Sequence, residues 1–377
     1  MKVLIATPNV VAGDGQGRVN LELASHLARR GHRITLLASS VDKELQDRDG
    51  IEWQQLLPQM QLPALLRDIL WSRKATAWLT RNGQHYDIVH LNGASAFVPH
   101  HVNTCHFVHA SFRKRLGDES TPGLRSRYHR LYSESSFRAE QRAYALARRV
   151  VAVSGKTRKE LEDTLDVPTD RLEVIHNGVD TDAFRPDPET RARVRRELAI
   201  EEDTFALFFV GEFVVPRKGL GTVLEVMQSL PESVHLFVAG TGSAASFQRA
   251  LRGIDTRVHF LGFRRDLAAL YAGMDCLVYP SRYDACALAV LEALAAALPV
   301  ITTPESGSSE LIETGRDGIV LEADDVQALR RSVAALQGDR GLATALARRG
   351  RLVAEANSWE RMSEHYEALY HAVAAST

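Results

Sequence analysis

The chain has little cysteine: three residues in 377, at Cys105, Cys276 and Cys286. Spread in this way they lack the paired spacing of a metal site and exclude a disulfide-stapled scaffold, which points to a reducing compartment. Long apolar runs are also lacking. Each is broken by charge or proline well before the about 18 residues of a membrane span, and Met1-Lys2 leads into the strand-like VLIAT instead of a signal segment. A cytoplasmic protein is the expectation. Net charge is scarce too, at −1, and no recognised nucleic-acid-binding motif accompanies the charge that is present, so nucleic acid is not the expected partner. What is present is 45% hydrophobic and 25% charged residues, enough apolar material for two cores. A chain of this length exceeds the size at which one core keeps growing, so two domains are expected.

Both halves repeat one plan. Strand Lys2–Thr7 is followed by a glycine-rich loop with Gly15 and Gly17, an amphipathic helix Val19–Arg30, a stop at Gly31 and strand Arg33–Ala38. Further strands read at Ile88–Leu91, Val102–His106 and Val150–Val153. The pattern restarts with Thr204–Val210, a helix from Leu220, and strands His235–Ala239, Val258–Leu261, Cys276–Tyr279 and Pro299–Thr302. Strands alternating with helices predict an α/β protein of two doubly wound, Rossmann-like parallel-sheet domains, with a ligand in the cleft between them. Ser154-Gly155-Lys156-Thr157 has the tail of a P-loop, but Val150 stands where its first glycine belongs, so the segment reads as a helix cap.

The segment from Tyr279 to Thr303 places two carboxylates, Asp284 and Glu292, across a strand-to-helix junction. Asp284 falls in the loop and Glu292 in the Ala/Leu-rich helix Ala287–Ala297, where an unpaired acid would be costly. In open α/β folds such loops, beyond the carboxyl ends of strands and at helix N-termini, hold anionic ligands. Upstream, Gly211–Gly219 ends a strand, presents Arg217 and Lys218, and opens a helix. A planar fork and a point charge side by side suit phosphate oxygens.

This combination resembles the retaining nucleotide-sugar glycosyltransferases of the GT-B fold, the group 1 or family 4 type with two glutamates and seven residues between them. Asp284 replaces the first glutamate, and Ala285, Cys286 and Ala287 stand where the common pattern has Gly, Phe and Gly, similar to the variant in lipopolysaccharide core glucosyltransferases. The connector from His176 to Pro186 resembles the family linker, and Ser358-Trp359 with Tyr366 and Tyr370 resembles its last helix. The resemblance implies an acceptor domain over residues 1–185, a donor domain over 186–357, and a helix over 358–377 that crosses back to the first. It implies a catalytic set of Asp284, His109, Arg217 and Lys218. Donor binding would fall to Gly15, Gly17, Arg217, Lys218, Ala287, Leu288, Glu292 and Gly307. Glu292 would hold the ribose hydroxyls, and Asp284 the transferred sugar. The cation pair would face the departing phosphate. His106 and His109 both follow the strand where the family has a histidine near the sugar, and the Val-His-Ala-Ser setting favours His109. Glu212 stands where many relatives carry an additional arginine.

The expected donor is a UDP-sugar, with no cofactor and no metal. The acceptor is a glycolipid or saccharide, lipopolysaccharide core first. Between Arg113 and Arg149 ten cations stand against four acids. Such a patch suits anionic headgroups at the inner face of a plasma membrane or an acidic acceptor, and otherwise makes a solvated helix face. Two rival readings share these residues: a sugar-nucleotide 2-epimerase, and a nucleotide-sugar binder without turnover.

Overall fold

The computed structural model describes residues 1–58, 61–116, 124–213 and 216–376, with the backbone alone at 113–116, 124–127 and 129–130. It divides into two compact units, Met1–Asn177 with Trp359–Thr377, and Gly178–Ser358.

In the first unit the strands are β1 (Lys2–Ala6), β2 (Asn9–Val10), β3 (Arg33–Ala38), β4 (Ser40–Val41), β5 (Ile51–Gln55), β6 (Ile88–Asn92), β7 (His100–Cys105), β8 (Ala147–Ala152) and β9 (Leu172–Val174). Seven form a sheet in the order β5-β3-β1-β6-β7-β8-β9, and β2 pairs separately with β4. All pairings are parallel. Val3, Leu4, Ile5 and Ala6 are all buried, because a central parallel strand is covered on both faces and reads as an unbroken apolar run. Helix Gly15–Arg29 turns Val19, Leu23, Ala24 and Leu27 into the core, and the final helix, Trp359–Ala375, meets them there with Met362, Tyr366, Tyr370 and Val373.

The second unit repeats the architecture with β10 (Phe205–Val210), β11 (Val234–Ala239), β12 (Val258–Gly262), β13 (Cys276–Tyr279), β14 (Val300–Thr302) and β15 (Ile319–Val320), in the order β12-β11-β10-β13-β14-β15. In each sheet the order reverses beside the first strand, between β1 and β6 and between β10 and β13. Ligands of open α/β sheets bind at such switch points.

Two placements differ from the sequence reading. Gly15 and Gly17 lie in the first turn of a helix that begins at Gly15, not in a loop. Gly17 is there for closeness, since a Cβ would stand 2.8 Å from the carbonyl oxygen of Val11. The first unit ends at Asn177, eight residues before the expected boundary. Residues 178–185 stay with the second unit because the Val179 N–H donates to the Asn357 carbonyl at 3.1 Å, and Arg351 donates to the carbonyls of Thr181 and Phe184. Of the expected basic patch, Arg113, Lys114, Arg115, Arg125, Arg127 and Arg130 have side chains outside the described residues, as do Asp118 and Glu119. Ser154 caps the helix Gly155–Leu165, accepting from the Thr157 N–H at 3.0 Å, so the P-loop lookalike is a cap.

The final helix is fastened by a buried polar chain. His90 Nδ1 lies 2.6 Å from the Tyr370 hydroxyl, His90 Nε2 2.8 Å from Thr104 Oγ1, and Thr104 Oγ1 3.0 Å from the Tyr366 hydroxyl. Burial lowers the pKa of His90 to about 3, and those of His100 and His106 to about 4. The unfolded chain protonates these rings near 6.5 while the folded chain does not, so it binds more protons at acid pH. Their stability is complete above about pH 6.5 and is lost as pH falls toward 4, by about 1.4 kcal/mol per pH unit for each ring. Urea midpoints measured from pH 7 to pH 4.5 should therefore fall steeply, and His90→Gln should flatten the slope. A flat profile for the wild type would contradict the buried neutral rings.

Candidate active site

In the second unit, β10 and β13 are neighbours, so the loops beyond their carboxyl ends lie side by side. The first carries Arg217 and Lys218, and Val214 and Val215 within it lie outside the described residues. Gly219, with φ +81°, closes this loop onto Pro280, where a Cβ would stand 2.1 Å from the carbonyl oxygen. Only glycine permits that approach. Ser281 Oγ donates to the Arg217 carbonyl at 2.9 Å, and the Arg282 N–H donates to the same oxygen at 2.7 Å. The cation pair is thus pinned to the loop that follows β13.

Asp284 receives it. Its Oδ2 lies 2.6 Å from Lys218 Nζ, 2.8 Å from the Tyr279 hydroxyl and 3.8 Å from Arg217 NH1. Lys218 also donates to the Tyr279 hydroxyl. Two of its three N–H groups are thereby engaged, and the third can meet a ligand oxygen. The backbone of Asp284 is held as well: its N–H donates to the Glu305 carbonyl and its carbonyl accepts from the Gly307 N–H, both at 2.9 Å. Burial alone would raise the Asp284 pKa, but Lys218 and Arg217 outweigh it and hold the carboxyl below its ordinary range. Tyr279, pushed well above the phenol range by burial and then by Asp284, stays neutral.

Glu292 sits on the helix Leu288–Ala295, whose N-cap, Ala287, supplies no side-chain cap. Tyr271 donates to Glu292 Oε2 and to the Ala289 carbonyl, both at 3.1 Å. Burial, then Glu292, raises the Tyr271 pKa. Both carboxylates act electrostatically on Tyr279, which places Glu292 near the cluster. The structure therefore joins Arg217, Lys218 and Asp284 and brings Glu292 onto Tyr271 beside them. The Gly307 N–H, a candidate donor-facing amide in the sequence, donates to the Asp284 carbonyl, and Glu212 is exposed.

Tyr279 and Tyr271 were missed in the sequence. Tyr279 had a signal available, a phenol closing an otherwise aliphatic strand.

In the first unit, a cavity of about 540 Å³ opens beyond β1, with Thr7, Asp14, Gln16, Ser39, Asp68 and Trp71 in its wall. Both candidate histidines connect to it. His106 Nε2 lies 3.0 Å from Asn92 Oδ1, Asn92 and Asn20 exchange amide hydrogen bonds at 3.1 and 3.2 Å, and Asn20 donates to the Gln16 carbonyl. His109 Nδ1 lies 2.6 Å from Glu140 Oε1, and its ring packs edge-on to Tyr132, whose hydroxyl donates to Asp68 at 3.1 Å. Burial raises the pKa of Glu140, with His109 as the group that opposes this.

A parallel two-unit fold with cations and a carboxylate at its switch point is the frame of a GT-B glycosyltransferase. Residues 13–183 match the family model Glycosyltransferase Family 4, and residues 204–339 match Glycosyl transferases group 1. With one such domain in each unit, the chain belongs to the glycosyltransferases. It is similar to a D-inositol 3-phosphate glycosyltransferase of Mycobacterium avium, 28% identical over an alignment of 406 positions that takes in 97% of this chain and 91% of the relative. An uncharacterized glycosyltransferase of Methanocaldococcus jannaschii is 24% identical, with 92% of each chain covered. Among solved structures, the fold matches WaaG, a glycosyltransferase involved in lipopolysaccharide biosynthesis, with a TM-score of 0.78 at 22% identity, covering 97% of this chain and 98% of that one. It also matches HepE of Anabaena in complex with UDP-glucose, with a TM-score of 0.77 at 17% identity and full coverage of both chains.

Proposed function

We propose that the protein is a retaining hexosyltransferase that takes a nucleotide-diphosphate sugar in its second unit and transfers the sugar to a hydroxyl of a glycolipid or saccharide. The observation that carries this reading is the Arg217–Lys218–Tyr279–Asp284 cluster at the β10/β13 switch point. In transfer, the bond from the anomeric carbon to the phosphate oxygen breaks, and negative charge gathers on the leaving diphosphate. The third N–H of Lys218, together with Arg217, stabilises that charge. Asp284, held ionised, accepts hydrogen bonds from sugar hydroxyls, and Glu292 from the ribose. The acceptor oxygen bonds the same face of the carbon, and its proton passes to a phosphate oxygen. A UDP-sugar is the favoured donor, in line with HepE and its bound UDP-glucose. The polyol phosphate in the name of the mycobacterial relative puts an inositol- or sugar-phosphate acceptor beside the lipopolysaccharide core as a candidate. We place the protein in the cytoplasm, at the inner face of the plasma membrane where such acceptors are made. No helix among the described residues is long and apolar enough to cross a membrane.

Thermal-shift measurements with a panel of UDP-, GDP- and ADP-sugars should show stabilisation by one nucleotide class. Nucleoside diphosphate release in the presence of acceptor then separates transfer from binding alone, and altered stereochemistry at C2 of free donor would identify an epimerase. Transfer should persist in EDTA, because two protein cations occupy the electrostatic role of a metal. Complete loss that added metal reverses would contradict this. The product should keep the anomeric configuration of the donor, and an NMR spectrum showing inversion would overturn the retaining mechanism.

A further inference from the structure

A second cluster of ionisable groups lies wholly in the first unit, where the end of the helix Gly15–Arg29 meets the final helix. Glu367 and His371, one turn apart on the final helix, converge with His32, and one ligand atom from each lies within 4.8 Å of the others. His32 Nε2 is 2.7 Å from Glu367 Oε1. Its Nδ1 is 3.1 Å from the Met1 nitrogen, so Nε2 is the ring atom turned toward the carboxylate. An independent observation comes from His26. This ring is 4% exposed, its Nε2 makes no hydrogen bond, and that atom stands 3.8 Å from Glu367 Oε2. A buried ring nitrogen left without a partner calls for an explanation.

We propose that His26, His32, Glu367 and His371 form a binding site for a divalent transition metal of zinc type, which ties the final helix to the first unit. Imidazole nitrogens with one carboxylate suit zinc, whereas calcium and magnesium take oxygen ligands. Tetrahedral zinc with ligands at about 2.0–2.1 Å sets neighbouring ligand atoms about 3.3 Å apart. His26 Nε2 and His32 Nε2 face different oxygens of the Glu367 carboxylate, at 3.8 and 2.7 Å, so the metal takes both oxygens or draws one ring across, and the exposed His371 swings in from the surface. Arg30 Nε lies 3.4 Å from Glu367 Oε2, but its side chain is 63% exposed and leaves into water when the metal binds. Burial lowers the pKa of His26, which keeps the ring in the neutral form that ligates. The role is structural. Glu367 lies between Tyr366 and Tyr370, the residues that anchor the same helix to Thr104 and His90.

The test uses untagged full-length protein, stripped with EDTA and dialysed. Calorimetric titration with Zn²⁺ should show one site per chain, Co²⁺ should give the visible absorption of a tetrahedral nitrogen–oxygen site, and Zn²⁺ should raise the melting temperature. His371→Ala and Glu367→Gln should each weaken zinc binding at least about 10-fold. His371 is exposed, so its variant should melt like the metal-free wild type and keeps the test decisive if Glu367→Gln folds poorly. Absence of stoichiometric uptake by the wild type, or equal affinity in His371→Ala, would overturn the site.

Discussion

Lys218→Ala is expected to lower turnover at saturating donor by on the order of 100-fold or more, with a smaller change in donor affinity. The ground-state donor carries its charge spread over two phosphates, whereas the leaving diphosphate concentrates it on the oxygen that has parted from the sugar. The third N–H of the ammonium therefore gains most in the transition state, and its loss falls on turnover. Arg217→Ala should act in the same direction. Lys218→Ala also strips Asp284 of its nearest cation, at 2.6 Å, inside a buried setting. The Asp284 pKa then rises, so a thermal melt near pH 7 must accompany the kinetics to separate lost catalysis from lost fold. Steady-state rates of nucleoside diphosphate release across donor concentrations decide the matter. Folded variants of both residues with normal turnover at saturation would remove the phosphate assignment.

The sheet centres were legible in the sequence for a physical reason: strands such as Lys2–Ala6, Phe205–Val210 and Cys276–Tyr279 are covered on both faces and so appear as unbroken apolar runs. The edge strands Ile51–Gln55 and Leu172–Val174 were not. Ile51–Gln55 is half exposed and mixes polar with apolar residues, and Leu172–Val174 spans three positions, too few to show a period. Arg217, Lys218 and Asp284 were legible as a set because each follows a strand, and adjacent strands bring their loops together. That Tyr279 bridges Lys218 and Asp284 was not, since a buried tyrosine and a buried leucine satisfy the same hydrophobic pattern. Only the position of its hydroxyl distinguishes them. The two histidines also stayed undivided. His106 and His109 lie three residues apart in the sequence, and their different partners, Asn92 and Glu140, come from distant elements that no local pattern reveals.

Glu292→Gln should weaken both nucleoside diphosphate and intact donor, whereas Asp284→Asn should weaken only the donor that bears the sugar. The ribose is common to both ligands, and the transferred sugar is absent from the product nucleotide. Loss of a charged hydrogen bond to a hydroxyl costs roughly 1.5–3 kcal/mol, or about 10- to 150-fold in affinity. The structure sharpens the second half of this expectation. Because Asp284 binds Lys218 directly, removing its charge leaves the ammonium more available to a phosphate, so affinity for the bare nucleotide should hold or rise. Tyr271 supports Glu292 from behind, and Tyr271→Phe should reproduce part of the Glu292→Gln loss for both ligands. Asp284→Glu restores the residue more common in the family and adds one methylene between a fixed backbone and a fixed lysine. Retained transfer would mean that the loop of Ala285 to Ala287 yields to the longer acid, and lost transfer that it is set for the shorter one. Calorimetric titration of each variant with nucleoside diphosphate and with intact donor provides the readout. Equal weakening of both ligands by Asp284→Asn, or unchanged binding in Glu292→Gln, would end the division of this site into a sugar half and a ribose half.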